Sequence, residues 1–143
     1  MNAFKELIIL IAEDDDGHAE LIKEGLLESG VCNKFIRFAN GEEVWNFLSG
    51  AADGETIDKN KGYLLLLDIN MPKMDGVEVL RRIKSDDKFK EIPVMMLTTT
   101  DDPREVEACY KIGCNMYIAK PVDFVKFTET LKRLGLFIQI VKV

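Results

Sequence analysis

The sequence predicts an α/β protein built on a doubly wound five-stranded parallel sheet, and three observations carry that prediction. Five apolar runs of strand length recur: LIILIA (7–12), KFIRFA (34–39), YLLLLDI (63–69), IPVMML (92–97) and NMYIAK (115–120). Stretches with helical spacing of apolar residues lie between them. The runs are continuous rather than alternating, as expected of strands buried on both faces. Right-handed crossovers between such strands make a doubly wound sandwich, and its ligands bind beyond the carboxyl ends of the strands.

Each helix carries its own punctuation. The first begins near Asp16, aligns Ala19, Ile22 and Leu26 on one face, and ends at Gly30. The second opens at Asn40, with Glu43 three residues on in the pattern of a capping box, and then presents Val44, Phe47 and Leu48. Asp75 caps the third, whose Val77, Leu80 and Ile83 share a side. Asp102 and Pro103 start the fourth and Gly113 closes it. The fifth follows Pro121, carries Phe124, Phe127, Leu131 and Leu134, and is expected to meet its end at Gly135. One polar stretch, GAADGETIDKNKG (50–62), exceeds the usual loop length and reads as a rim insertion.

Composition narrows the function. With 143 residues the chain fits a single domain, and 47% apolar with 31% charged residues is an ordinary soluble balance. A formal charge of −6 argues against duplex nucleic acid or an anionic membrane as partner, since both reward a basic face. No apolar run reaches the roughly 18 residues needed to span a bilayer, and MNAFKELIIL has no cleavable signal, so a cytoplasmic location is expected. Cys32, Cys109 and Cys114 are an odd set without a short C-x-x-C pair, which suits reduced thiols better than a disulfide frame or a zinc site.

The chemistry sits where the buried runs stop. LIILIA ends in Glu13, Asp14, Asp15 and Asp16; YLLLL ends in Asp68; VMML ends in Thr98, Thr99 and Thr100; MYIA ends in Lys120. A parallel sheet brings all four ends to one edge. Clustered carboxylates repel one another unless a cation intervenes, and oxygen ligands without nearby Cys or His select a hard ion such as Mg2+. Glu13, Asp14 and Asp68 would supply charge to it, and the Asn70 backbone carbonyl a further ligand. Lys120 can hold a phosphoryl oxygen and the Thr98 hydroxyl another, with Thr99 lining the site. An aspartate can itself be the nucleophile, forming an acyl phosphate. Asp15 and Asp16 read as helix-start residues, Thr100 as an ordinary loop residue, and His18 as exposed and inert.

Together "AEDD", "LLLLDINMPKMDG", "MLTTT" and "YIAKPVD", in that order, resemble a response-regulator receiver domain of two-component signalling over roughly residues 6 to 135. The resemblance implies a flavodoxin-like fold with strand order 2-1-3-4-5. It implies Glu13 and Asp14 as the acidic pair for Mg2+, Asp68 as acceptor of phosphate from a histidine kinase, and Lys120 on the phosphoryl group. Thr98 and Tyr117 would be the switch residues, and the Lys120–Pro121 bond would be cis. Glu13 departs mildly from the pattern, in which aspartate is common, and its extra methylene could replace direct coordination by contact through water.

A single receiver domain over residues 1–143 implies that the output is another protein, reached by a phosphoacceptor rather than an enzyme. The glutamate in the acidic opening, the rim insertion and the apolar tail LFIQIVKV (136–143) look most like small regulators of phytochrome-type histidine kinases. That tail also suggests a homodimer face. Two rivals remain. A Mg2+-dependent phosphohydrolase with an aspartyl nucleophile would usually place a second acid two residues on, where this chain has Asn70; a phosphate-independent interaction module would normally have lost an acid or the lysine.

Overall fold

The computed structural model describes residues 6–51, 54, 56–121 and 123–140. Strands and helices alternate throughout: β1 (Leu7–Ala12), α1 (Asp16–Glu28), β2 (Phe35–Phe38), α2 (Gly41–Ser49), β3 (Gly62–Leu67), α3 (Gly76–Lys84), β4 (Val94–Thr98), α4 (Pro103–Ile112), β5 (Met116–Ala119) and α5 (Phe124–Ile140). All pairings are parallel and the strand order is β2-β1-β3-β4-β5, as expected.

The period of two along each strand divides the core into two layers. Ile8, Leu10, Leu65, Leu67, Val94 and Met96 meet Val44, Phe47, Val79, Leu80 and Ile83 of α2 and α3 on one side. Ile9, Ile11, Leu64, Leu66, Met95 and Leu97 meet Ile22 and Leu26 of α1 and Phe127, Leu131 and Leu134 of α5 on the other. The central strands β1, β3 and β4 are buried along their whole length, which is why they read as unbroken apolar runs.

The predicted caps hold: Asp15, Asn40, Asp75 and Asp102 each accept a hydrogen bond from a backbone N–H in the following turn. Two expectations need correction. Helix α5 does not stop at Gly135 but continues to Ile140, because Gly135 serves a close approach rather than a terminus; a Cβ there would lie 1.7 Å from Ser29 Oγ. Phe124 is not on the buried face of α5 but exposed. The described part of the tail belongs to this helix, with Ile138 buried and Leu136, Phe137 and Ile140 exposed, while residues 141–143 lie outside the described residues. In the rim stretch, residues 52, 53 and 55 also lie outside; the rest is non-helical, and the Asp58 N–H donates to Tyr63 Oη at 2.7 Å. Among the described residues no helix is long and apolar enough to cross a membrane.

Candidate functional site at the carboxyl edge of the sheet

The parallel sheet delivers Glu13, Asp68, Thr98 and Lys120 to one edge from the ends of β1, β3, β4 and β5. All four are buried, an unusual company of polar groups. Ligand oxygens of Glu13, Asp14 and Asp68 lie within 4.8 Å of one another, with Asp14 exposed and the other two buried. Lys120 Nζ donates to Glu13 Oε1 and stands 3.6 Å from Asp68 Oδ2. Asp68 Oδ1 is buried and has no hydrogen-bond partner.

The turn after β3 explains why the strand ends so abruptly. The Gly76 N–H donates to the Ile69 carbonyl at 2.9 Å, folding the chain back so that α3 starts directly against the strand end. A Cβ at Gly76 would sit 2.1 Å from the Asp68 carbonyl oxygen, so only glycine permits this approach.

Electrostatics follow from burial. Desolvation pushes the Glu13 carboxyl up to about 7, and the bond from Lys120 only partly opposes it. Three acids face one ammonium in a confined space. The all-oxygen donor set and the orphaned Asp68 oxygen fit a hard divalent cation.

The remaining predicted residues form the rim. Thr98 is fully buried, with its Oγ1 accepting from the Thr100 N–H at 3.5 Å. Thr99 is exposed. The Asn70 side chain donates to Thr100 Oγ1 at 3.2 Å, and the Tyr117 hydroxyl donates to the Thr100 carbonyl at 2.6 Å. Thr100 is therefore not an ordinary loop residue; it joins the loop after β3 to the aromatic of β5. The Lys120–Pro121 bond is not cis, since the described residues contain no cis peptide bond, and the trans form is the lower-energy default that here already delivers the ammonium to both acids.

His18 also needs correction. It is half-buried rather than exposed and stands beside the site: Nδ1 lies 3.5 Å from Lys120 Nζ and 4.0 Å from Glu13 Oε1, with the side chain 44% exposed. Positions 18, 22 and 26 lie on one helical stripe, and Ile22 and Leu26 were already assigned to the buried face, so the periodicity held the signal. Cys109 and Cys114 are buried, and desolvation raises the Cys109 thiol to about 11, which suits an inert core thiol.

Comparison with known proteins agrees with this geometry. The family described as the response regulator receiver domain matches residues 9–132. Response regulator Rcp1 of Synechocystis sp. is 36% identical over 113 residues, covering 79% of this chain and 76% of that protein. The phosphorylated cyanobacterial phytochrome response regulator RcpA superposes with a TM-score of 0.84 at 32% identity, covering 99% of this chain and 98% of that one. The Mn(2+)-bound form of Rcp1 gives 0.83 at 29% identity, covering 95% and 97%. With a buried acid at the end of β3, two acids after β1 and a lysine after β5 on one edge of a 2-1-3-4-5 sheet, the chain belongs to the response regulator receiver domains of two-component signalling.

Proposed function

We propose that Asp68 is the phosphoacceptor and that this receiver domain works as a phosphorylation-driven switch of a protein-binding surface. The observation that carries the assignment is Asp68 itself: a buried carboxylate with one orphaned oxygen, beside a lysine and two further acids. Glu13, Asp14 and Asp68, with the Asn70 backbone carbonyl, would hold Mg2+. A bound Mg2+ supplies charge neutralisation between these carboxylates and the incoming phosphoryl oxygens.

The chain's own residues do the rest. An Asp68 oxygen attacks phosphorus in line, the P–N bond of the kinase phosphohistidine breaks, and its electron pair stays on the imidazole nitrogen. Lys120 exchanges its bond to Glu13 for one to a phosphoryl oxygen, and the hydroxyls of Thr98 and Thr99 donate to the others. Movement of Thr98 and of Tyr117, whose hydroxyl is anchored on Thr100, then remodels the face of α4, β5 and α5 for a protein target.

The donor of the phosphoryl group is a sensor histidine kinase. The likeness to Rcp1 and to the phytochrome response regulator RcpA supports one of phytochrome type. The chain acts as a signalling phosphoacceptor in the cytoplasm rather than as a hydrolase, consistent with Asn70 standing where a phosphohydrolase would carry its general acid. The exposed Leu136, Phe137 and Ile140 support association through α5 into a homodimer.

The test is labelling with acetyl phosphate and Mg2+ followed by mass spectrometry. The wild-type chain gains one acid-labile phosphate and Asp68→Asn gains none. Equal labelling of both, or none of the wild type, would exclude Asp68.

A further inference from the structure

Arg37 lies on the edge strand β2, outside every motif that identified the site. Its guanidinium donates from Nε and Nη2 to the backbone carbonyl of Glu13, at 2.9 and 2.7 Å, and from Nη1 to Asp16 Oδ1 at 2.7 Å. All three bonds are short and charge-assisted, and they use the fork of an arginine in a way a lysine cannot reproduce.

The reason lies in how the ladder ends. Ala12 pairs with Phe38, and the Glu13 N–H donates to the Phe38 carbonyl at 3.0 Å. A regular parallel ladder would next require the N–H of residue 40 for the Glu13 carbonyl. There the strand has already ended, and Asn40 has turned to cap α2. The arginine side chain takes over the role of the missing strand. The Glu13 carbonyl is coplanar with the amide of Asp14, so fixing that oxygen fixes the peptide plane joining the two acids of the cation pocket. The bond to Asp16 ties the same guanidinium to the first turn of α1, so the whole loop is held from both sides.

We propose that Arg37 is a positioning residue for the divalent-cation pocket: it bonds to the Glu13 backbone and to neither ligating carboxylate, and sets the directions of the Glu13 and Asp14 carboxylates through their shared peptide plane. This rests on the assignment of these acids to Mg2+ made above. Groups of this kind, one layer behind the ligands, commonly change metal affinity by about 10- to 100-fold.

The test is calorimetric titration of Mg2+ into wild type, Arg37→Ala, Arg37→Lys and Asp16→Ala, with thermal unfolding of each in EDTA. Arg37→Ala is expected to weaken Mg2+ binding about tenfold. Arg37→Lys, able to return one donor to the carbonyl, recovers part of that loss, and Asp16→Ala, which keeps the carbonyl bonds, loses only a few-fold. A role in stability alone predicts a lower Tm with unchanged affinity, and that result overturns the proposal. So does tighter binding in Arg37→Ala, which would mean that its positive charge, not its grip, dominates. If Arg37→Ala fails to fold, Arg37→Lys and Asp16→Ala decide, and wild-type affinity in both overturns the proposal. A wild-type chain that binds no Mg2+ fails at the earlier step, the assignment of the pocket.

Discussion

Two lysines at opposite edges of the sheet show how one side chain serves two ends. At the amino edge, Lys84 Nζ donates to the Lys90 and Ile92 carbonyls at 3.0 and 2.7 Å and to Asn115 Oδ1 at 3.4 Å. Its acceptors are neutral and fixed, and Asn115 Oδ1 is itself held by the Val94 N–H at 2.8 Å. At the carboxyl edge, Lys120 meets Glu13, Asp68 and His18, all of them ionisable, and one oxygen of Asp68 remains without a partner. Lys84 closes a network; Lys120 sits in one left open, with more negative charge than it can balance. The first arrangement is what a fold needs, and the second is what an incoming cation and phosphoryl group need.

The largest test of that contrast is to remove each charge in turn. Lys120→Met leaves buried carboxylates without a counter-charge and is expected to lose about 3 kcal/mol of stability in EDTA. Mg2+ replaces the missing positive charge, so millimolar Mg2+ restores most of that loss and raises the variant's stability more than it raises that of the wild type. Lys84→Met loses about 2 kcal/mol through its orphaned carbonyls, and Mg2+ raises it no more than the wild type. Denaturant unfolding with and without Mg2+ measures all four quantities. Equal rescue of the two variants would erase the distinction between the edges.

Asp68 sharpens the contrast from the acid side. A buried carboxylate with an unpartnered oxygen beside Glu13 destabilises the fold that carries it. Asp68→Asn removes that charge while Lys120 keeps its bond to Glu13. In EDTA the variant is expected to gain about 1 kcal/mol, a trade of function for stability. The gain shrinks or reverses in Mg2+, because the wild type binds the cation better. Thermal unfolding in both conditions checks it, and a loss of stability in EDTA would mean that Asp68 holds the resting fold together.

Much of this was legible in the chain because the relevant physics is local. Unbroken apolar strands, capping side chains before the first four helices, and acids or a lysine at the strand ends all follow from spacing of two or 3.6 residues and from cap chemistry. What escaped depends on contacts between distant segments. Gly135 looks like a helix terminus until Ser29, more than 100 residues earlier, is seen against it. Thr100 looks like loop filler until Asn70 and Tyr117 converge on it. Arg37 is only a charge interrupting a strand, since its partner is a backbone carbonyl that no composition reveals. His18 is the one omission that periodicity could have prevented.

Tyr117 falls between the two lysines and gives the smallest effect. Its hydroxyl donates to a neutral carbonyl, as Lys84 does, yet it stands on the carboxyl edge beside Thr98 and Thr100. Loss of one neutral hydrogen bond in Tyr117→Phe is expected to lower stability by about 1 kcal/mol at pH 8. Burial raises this phenol from 10.0 to about 12, so the folded state holds its proton more tightly than the unfolded chain. That contribution is complete below about pH 10 and is lost as pH rises through about 12, so wild-type stability should fall across this window more steeply than that of Tyr117→Phe. Phenolate absorbance supplies the independent readout: the component absent from Tyr117→Phe should be one titrating near 12. A loss well above 2 kcal/mol would make Tyr117 a clamp like Lys84, too firmly held to move. A loss near 1 leaves it anchored but free to exchange one carbonyl for another environment, which is the condition a switch residue must meet.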